Sequence, residues 1–368
     1  MADNKNFDRF AGIHFKNLEE SGPNNYGNPW LVRELGKRGV GSILIPNSKS
    51  YNFEDNTVLA HFATPKGDDE LLVEKISETS MDTGGLEIVR ARNLTPARLS
   101  EIMPVINGPE LRSLGASKWK QYELAKEFMP KTVLVTPNEK LDESLTDSFS
   151  GDKLVIKADM SMASKFMKMT TKNEALAAIA GMREEFAAAE EKRGKSRSND
   201  NIIIQEYVPG LLWTDLEGVD SKSKDLLFGA NDTELRIFCY VDRDKKIAPM
   251  HRYYATARVF DGDHDDDWAS INQDSVPPQA WRIADTISDR FLAKANVPGG
   301  YLAVDLFLGD AKDGLGSHIF VREINTRDPL MVGKEDNQHD AFIQRQLLAN
   351  AMATVAKNRP PTGKNFSL

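Results

Sequence analysis

Cysteine is almost missing from this 368-residue chain: Cys239 is the single one, which excludes an internal disulfide and a cysteine-built zinc cluster. It lies inside the strand-like run Leu235-Arg236-Ile237-Phe238-Cys239-Tyr240-Val241 and reads as a buried structural thiol rather than a nucleophile. Long apolar stretches are missing as well. The N-terminus, Met1-Ala2-Asp3-Asn4-Lys5, has no apolar run of the signal-peptide kind, and no segment approaches membrane-spanning length. The expected compartment is therefore the cytoplasm, with no membrane partner. Positive charge is in deficit, 47 Lys and Arg against 55 Asp and Glu for a net charge of −8, so nucleic acid is not an expected partner. A local basic patch for phosphates is compatible with that balance. The glycine-rich GxGxxG loop is absent too, which weakens any case for dinucleotide binding, and no internal repeat is found.

What is present is an ordinary globular composition, 40% hydrophobic and 28% charged, over a length that suits two or three domains. Residues 1–107 alternate short apolar runs with polar turns. Trp30-Leu31-Val32-Arg33-Glu34-Leu35 has helical spacing, and Ser42-Ile43-Leu44-Ile45-Pro46 reads as a buried strand, which together suggest an α/β unit. The pattern then predicts a helix over 118–128 stopped by Pro130, and a strand at Thr132-Val133-Leu134-Val135-Thr136. Residues 142–205 read as a compact α+β lid. It holds a strand at Lys153-Leu154-Val155-Ile156-Lys157, a small-residue loop, a second strand near Phe166-Met167-Lys168-Met169, and an alanine-rich helix through Glu191 that opens on a Thr171/Glu174 capping box. Further strands are expected at 201–208, around Arg236 and around His251-Arg252-Tyr253-Tyr254. A helix over 279–295 has Trp281, Ala284, Ile287 and Phe291 on one face, and a last helix covers 338–357.

The chemistry gathers in two apolar runs near the C-terminus. Tyr301-Leu302-Ala303-Val304-Asp305-Leu306-Phe307-Leu308 and Phe320-Val321-Arg322-Glu323-Ile324-Asn325-Thr326-Arg327 each present carboxylate or amide oxygens at one end. Mg²⁺ is a hard cation that takes oxygen ligands, usually one or two carboxylates with water and phosphate oxygens completing the shell. Asp305, Glu323 and Asn325 are a suitable donor set, because alternation along a strand puts Glu323 and Asn325 on one face and Ile324 on the other. Lys157 closes an apolar strand, which fixes an ammonium better than a loop does. The segment after it, Ala158-Asp159-Met160-Ser161-Met162-Ala163-Ser164-Lys165, can fold over a triphosphate with backbone N–H groups, the Ser161 and Ser164 hydroxyls and Lys165. Gln205, Glu206 and Val208 belong either to a plain core strand or to an edge whose backbone pairs with adenine. Arg236 is either salt-bridged to a carboxylate or aimed at an anion. The acidic run 261–267 lacks the calcium-loop pattern and reads as a solvated loop or a substrate gate, and His251 to Tyr254 as a carboxylate grip or a sheet edge.

In this order, Lys118 in Ala116-Ser117-Lys118-Trp119, Lys157, the small-residue loop, Gln205-Glu206-Tyr207-Val208, Arg236, Asp305 and Glu323-Ile324-Asn325-Thr326-Arg327 resemble the ATP-grasp superfamily over residues 105–355. That family includes D-alanine–D-alanine ligase, glutathione synthetase and peptide ligases. The resemblance implies an α/β chain with α+β subdomains: an N-terminal α/β domain over 1–107, a central and lid subdomain over 108–208, and a C-terminal mixed sheet over 209–368. It implies ATP and Mg²⁺ as cofactors, with two metal ions. Lys118 and Lys157 would hold phosphates, with the 160–165 loop as their cover. Gln205, Glu206 and Val208 would line adenine, Asp305, Glu323 and Asn325 would bind the metal, and Arg236 and Arg327 would steady phosphate or an acyl phosphate. The implied activity is an ATP-dependent carboxylate-amine ligase whose partners are a carboxylate and an amine, an amino acid or peptide. A phosphotransferase and a nucleotide-binding regulator without turnover are the alternatives, and a homo-oligomer is left open. Two departures stand out: the phosphate loop has no glycine, and Leu212 occupies the place of a ribose-binding acid that Asp215 or Glu217 would have to replace.

Overall fold

A computed structural model of the chain describes residues 9–14, 28–45, 51–52, 54, 57–58, 61–66, 70–75, 79–80, 86–90, 105–160, 166–193, 200–211, 213, 234–242, 253–259, 267–270, 273–297, 299–311, 316–326 and 338–357. The N-terminal strands are β1 (Phe10–His14), β2 (Gly41–Ile45), β3 (Tyr51–Asn52), β4 (Thr57–Val58), β5 (His61–Lys66), β6 (Glu70–Lys75), β7 (Thr79–Ser80), β8 (Leu86–Arg90) and β9 (Val105–Ile106), with helix α1 (Asn28–Lys37) between β1 and β2. They form a sheet in the order β6-β5-β2-β1-β8-β9 and a small one in the order β3-β4-β7. The β1–β2, β1–β8 and β8–β9 pairings are parallel and the outer ones antiparallel. A parallel pair needs a crossover between its strands, and α1 supplies one.

Two helices follow, α2 (Pro109–Ala116) and α3 (Lys118–Ala125), and a 3₁₀ turn at Lys126–Phe128 ends the second just before Pro130. The lid sheet contains β10 (Thr132–Val135), then after a four-residue helix α4 (Ser144–Asp147) come β11 (Lys153–Ala158), β12 (Met167–Thr171), α5 (Ala175–Arg193) and β13 (Ile202–Glu206). Its order is β10-β13-β11-β12, antiparallel throughout. Leu154, Ile156, Ile202 and Ile204 pack under α5 with Ile179, Met182 and Phe186. The anticipated capping box takes another form. Thr171 Oγ1 donates to Glu174 Oε2 at 3.0 Å, with no side-chain cap bond, and a 3₁₀ turn over Lys172–Glu174 opens the helix.

The last sheet contains β14 (Glu234–Asp242), β15 (Tyr253–Val259), β16 (Asp267–Ser270), β17 (Gly299–Ala311) and β18 (Gly316–Asn325), with α6 (Pro278–Ala295) before β17 and α7 (Gln338–Lys357) at the end. The order is β16-β15-β14-β17-β18, and each described pairing is antiparallel rather than mixed. β14–β15, β15–β16 and β17–β18 join successive strands, β14 and β17 pair across the intervening β15, β16 and α6, and the mixed sheet is the N-terminal one. One face buries Leu235, Ile237, Cys239, Leu302, Val304 and Ile324 against Ala284, Ile287 and Phe291 of α6. Phe238, Tyr240, Tyr301 and Ala303 on the other face pack with α1 and α7. That second face is apolar only at one end. Farther along the same strands the chain places charge.

Candidate functional site

Register brings the charges together. Arg236 of β14 stands opposite Asp305 of β17, which stands opposite Glu323 of β18, so the three occupy one row across the sheet. Arg236 grips Asp305 with both prongs: Nε donates to Oδ1 at 2.5 Å and Nη2 to Oδ2 at 2.7 Å. Asn325 Nδ2 donates to the same Oδ2 at 2.9 Å. Ile324 is fully buried beneath, which fixes Glu323 and Asn325 to the opposite face. Burial works against the Arg236 charge, but Asp305 outweighs it and holds the guanidinium's pKa above its ordinary value. Of the two readings of Arg236, the structure shows the salt bridge to a carboxylate, with both prongs engaged on Asp305.

Two residues outside the sequence expectation stand beside the row. Glu234 lies two positions before Arg236 on the same face and is buried. Burial, and then the neighbouring Asp305, push its carboxyl up to about 8 against the pull of Arg322 and Arg236. Arg322 is the extra residue of a bulge: β17 and β18 lose register between Asp305 and Leu306, so Arg322 has no partner position. The bulge lets Arg322 Nη1 donate to Glu234 Oε2 at 3.0 Å. Only adjacency to Glu323, and the two-residue spacing of Glu234 and Arg236, signalled them in the sequence.

The lid supplies the other cations. Lys157 and Gln205 share the lid-sheet face that α5 leaves uncovered, and Lys157 Nζ donates to Gln205 Oε1 at 2.8 Å. Burial, with Lys118 and Arg322 nearby, depresses the Lys157 ammonium to about 8, and Glu323 opposes part of that shift. Lys118 opens α3. Its pKa is lowered by burial, against which Glu323 and Asp159 pull upward. These mutual influences place Lys118, Lys157, Arg322 and Glu323 within electrostatic reach of one another.

Gln205, expected to line adenine, is hydrogen-bonded within the lid sheet. Its oxygen accepts from Lys157 and its nitrogen donates to Thr132 Oγ1 at 3.1 Å. The strand β13 also runs between β10 and β11, so through Glu206 its backbone faces a neighbour on each side rather than an open edge. Glu206 Oε1 accepts from Ser150 Oγ at 2.6 Å and from the Gly151 N–H at 2.8 Å, which pins the turn before β11. Val208 is placed otherwise. Its Cγ1 would be 2.5 Å from a Cβ on Gly309, so it lies directly over the β17 backbone, and Phe320 is 2.9 Å from the same point. Phe307 and Phe320 stack at 5.6 Å between ring centroids. Met167 and Met169 are 42% and 61% exposed on the lid face that carries Lys157, leaving apolar surface beside the cations.

Ser161, Ser164, Lys165 and Arg327 lie outside the described residues, as do Leu212, Asp215, Glu217, His251, Arg252 and residues 261–266. Among the described residues no group of three or more His, Cys, Asp and Glu gathers as a metal cluster. Two acids and an amide on adjacent strands still fit Mg²⁺ by donor type, since that ion keeps much of its shell outside the protein. Among the described residues no helix is long and apolar enough to cross a membrane.

No family model and no curated protein matches this sequence. Solved structures do match. The chain aligns with D-alanine–D-alanine ligase from Bacillus anthracis complexed with ATP at a TM-score of 0.50 and 11% identity, covering 95% of this chain and 100% of that one. D-cycloserine synthetase DcsG gives 0.49 at 15% identity over 93% and 99% of the two chains. A RimK domain ATP-grasp protein from Sphaerobacter thermophilus gives 0.49 at 13% identity over 93% and 98%. With its helix-backed lid sheet, its antiparallel C-terminal sheet and end-to-end alignment on that ligase, the chain has the ATP-grasp fold.

Proposed function

We propose that this protein is an ATP-dependent ligase that joins a carboxylate to an amine, an amino acid or a peptide, through an acyl phosphate. The observation that carries the reading is the arrangement of Asp305, Glu323 and Asn325 on adjacent strands, with Lys118, Lys157, Arg236 and Arg322 converging on them. Cations facing a small oxygen-donor set suit a polyphosphate with its metal. They do not suit hydrolysis through a covalent enzyme ester. In this reading residues 1–107 contribute substrate contacts, 108–208 the nucleotide cover and 209–368 the metal strands.

Lys118 and Lys157 hold phosphate oxygens, Asp305, Glu323 and Asn325 hold Mg²⁺, and the Val208, Phe307 and Phe320 surface with Met167 and Met169 takes the adenine. Mg²⁺, when bound, neutralises charge on the β- and γ-phosphates. A carboxylate oxygen attacks the γ-phosphorus and ADP leaves. The amine nitrogen then attacks the acyl carbon, phosphate departs with the C–O bond, and a proton is released. Arg236, with Arg327, offsets the oxyanion charge that grows in each step.

The test is nucleotide turnover with a panel of carboxylates and amines. ADP formation that requires both substrates, together with an amide product, supports the ligase. Turnover with a single acceptor and a stable phosphorylated product would establish a phosphotransferase, and Mg-ATP binding without turnover a regulator.

A further inference from the structure

Helix α3 is tied to two different sheets by buried polar side chains. At its N-terminal end Asp159, one residue beyond β11, accepts from Ser117 Oγ at 2.8 Å on Oδ1 and 3.1 Å on Oδ2, and from the Trp119 N–H at 2.8 Å. The Asp159 carbonyl accepts from the Lys118 N–H at 3.1 Å, and Ser117 Oγ accepts from the Lys120 N–H at 3.2 Å. One turn on, Gln121 Oε1 accepts from the Ile324 N–H of β18 at 2.9 Å, while its Nε2 donates to the Gly115 carbonyl at 2.8 Å. Ser117, Gln121 and Asp159 are all buried.

An ordinary capped helix needs only the first half of this. Ser117 alone is the usual N-cap, and it already serves the Lys120 N–H. Here a second acceptor arrives from 42 residues away, out of the lid sheet, and covers an N–H that Ser117 does not. The Gln121 bond has its own necessity. β18 is the last strand in its sheet among the described residues, so the Ile324 N–H points away from β17 and would be a buried orphan without Gln121. Each anchor is also next in sequence to a residue of the site: Ser117 precedes Lys118, and Ile324 follows Glu323. The first turn of this short helix is therefore bonded both to the lid, through Ser117 and Trp119, and to β18, through Gln121.

We propose that α3 is a rigid strut that couples the lid sheet to β18, with Asp159 and Gln121 as its positioning residues, so that together they set the distance between Lys118 and Glu323. The nucleotide consequence rests on the ligase reading above; the mechanical one does not. When Asp159 is lost, α3 keeps its Ser117 cap but drifts from the lid, and the Gln121 bond to Ile324 loosens with it.

The first measurement uses the full chain without nucleotide and follows amide hydrogen exchange at Ile324. Gln121→Leu exposes that N–H directly. Asp159→Ala should speed the same exchange about tenfold or more although it does not touch Ile324, and Asp159→Asn, which keeps an acceptor for Ser117 and Trp119, should restore protection. Unchanged Ile324 exchange in folded Asp159→Ala overturns the strut. Should that variant fail to fold, Ser117→Ala, which removes only the hydroxyl from the same end, is read by the same criterion. The second measurement is Mg-ATP affinity by calorimetry. Asp159→Ala should weaken binding about tenfold, and adding Lys118→Met should cost nothing beyond Lys118→Met alone, since Asp159 acts through that lysine. Additive losses would mean a generally damaged fold and would overturn the proposal. If the wild-type chain binds no Mg-ATP, the ligase reading falls, and the Ile324 exchange still decides the strut.

Discussion

Lys157, titrating near pH 8, is a conditional cation, and the sign of its effect differs for folding and for binding. Its folded pKa lies below the ordinary 10.5, so between about 8 and 10.5 the unfolded chain holds a proton that the folded chain has given up. Stability then rises with pH across that window and is insensitive to this group below it. A phosphate wants the charged form. We expect Lys157 to lower Mg-ATP affinity as pH rises through about 8, and Lys157→Met to remove that share of the slope and leave the share of Glu234, which titrates in the same window, as measured by calorimetry on both sides of the transition. The same slope in the wild type and in Lys157→Met would remove Lys157 from the phosphate site. Glu323 offers a second residue-level test. Glu323→Gln keeps the shape in the row beside Asp305 but halves the carboxylate count of the proposed donor set. Turnover should drop by about 10²-fold, a few kcal/mol of transition-state stabilisation, with the melting temperature little changed. Near-normal turnover in the folded variant would exclude a metal-ligand role.

At the scale of elements, periodicity carried much of the fold. The 279–295 helix face, with Ala284, Ile287 and Phe291 now buried and Trp281 packed beside them, was legible because a 3.6-residue pattern records which side meets the core. The alternation of Glu323, Ile324 and Asn325 was legible for the same reason at period two. Neither pattern records lateral neighbours. Whether Arg236 meets Asp305 depends on register, and whether Arg322 leaves its row depends on a bulge, both fixed by contacts far along the chain. Gln205 illustrates the same gap: its bonds to Lys157 and Thr132, on the two neighbouring strands, depend on a strand order that periodicity does not record. Close backbone approaches are equally silent in sequence. Gly115 sits within α2, where Ala would ordinarily gain about 0.5–1 kcal/mol. A Cβ there would stand 1.9 Å from Thr326 Oγ1 and 2.7 Å from Thr326 Cβ, next to Asn325. Overpacking of that kind costs about 1–3 kcal/mol, so Gly115→Ala should destabilise in urea unfolding despite its better helix propensity. A neutral or stabilising result would mean that Thr326 moves aside at little cost.

Across the whole molecule, a chain with net charge −8 gathers Lys118, Lys157, Arg236 and Arg322 near one another, with Arg236 ion-paired to Asp305 and Arg322 to Glu234. Lys118 and Lys157 come from the lid side and Arg236 and Arg322 from the other, so a polyphosphate held by all four would join the two bodies and raise the melting temperature by mass action. What such a closed site does next depends on whether the phosphoryl group stops on its acceptor or activates it. The row offers cations for phosphate and for a tetrahedral oxyanion, and Cys239 is buried in the core, away from any nucleophilic role. An acyl phosphate formed there would be a free electrophile awaiting an amine, sheltered from water by the lid. Hydroxylamine, a small and strong nucleophile, should therefore capture it as a hydroxamate when Mg-ATP and the carboxylate substrate are present and the amine is withheld. Arg236→Lys should lower the yield, because one ammonium cannot reproduce the two-pronged guanidinium contact that now holds Asp305. A stable phosphorylated product that forms without any amine and yields no hydroxamate would transfer the assignment to a phosphotransferase using the same fold.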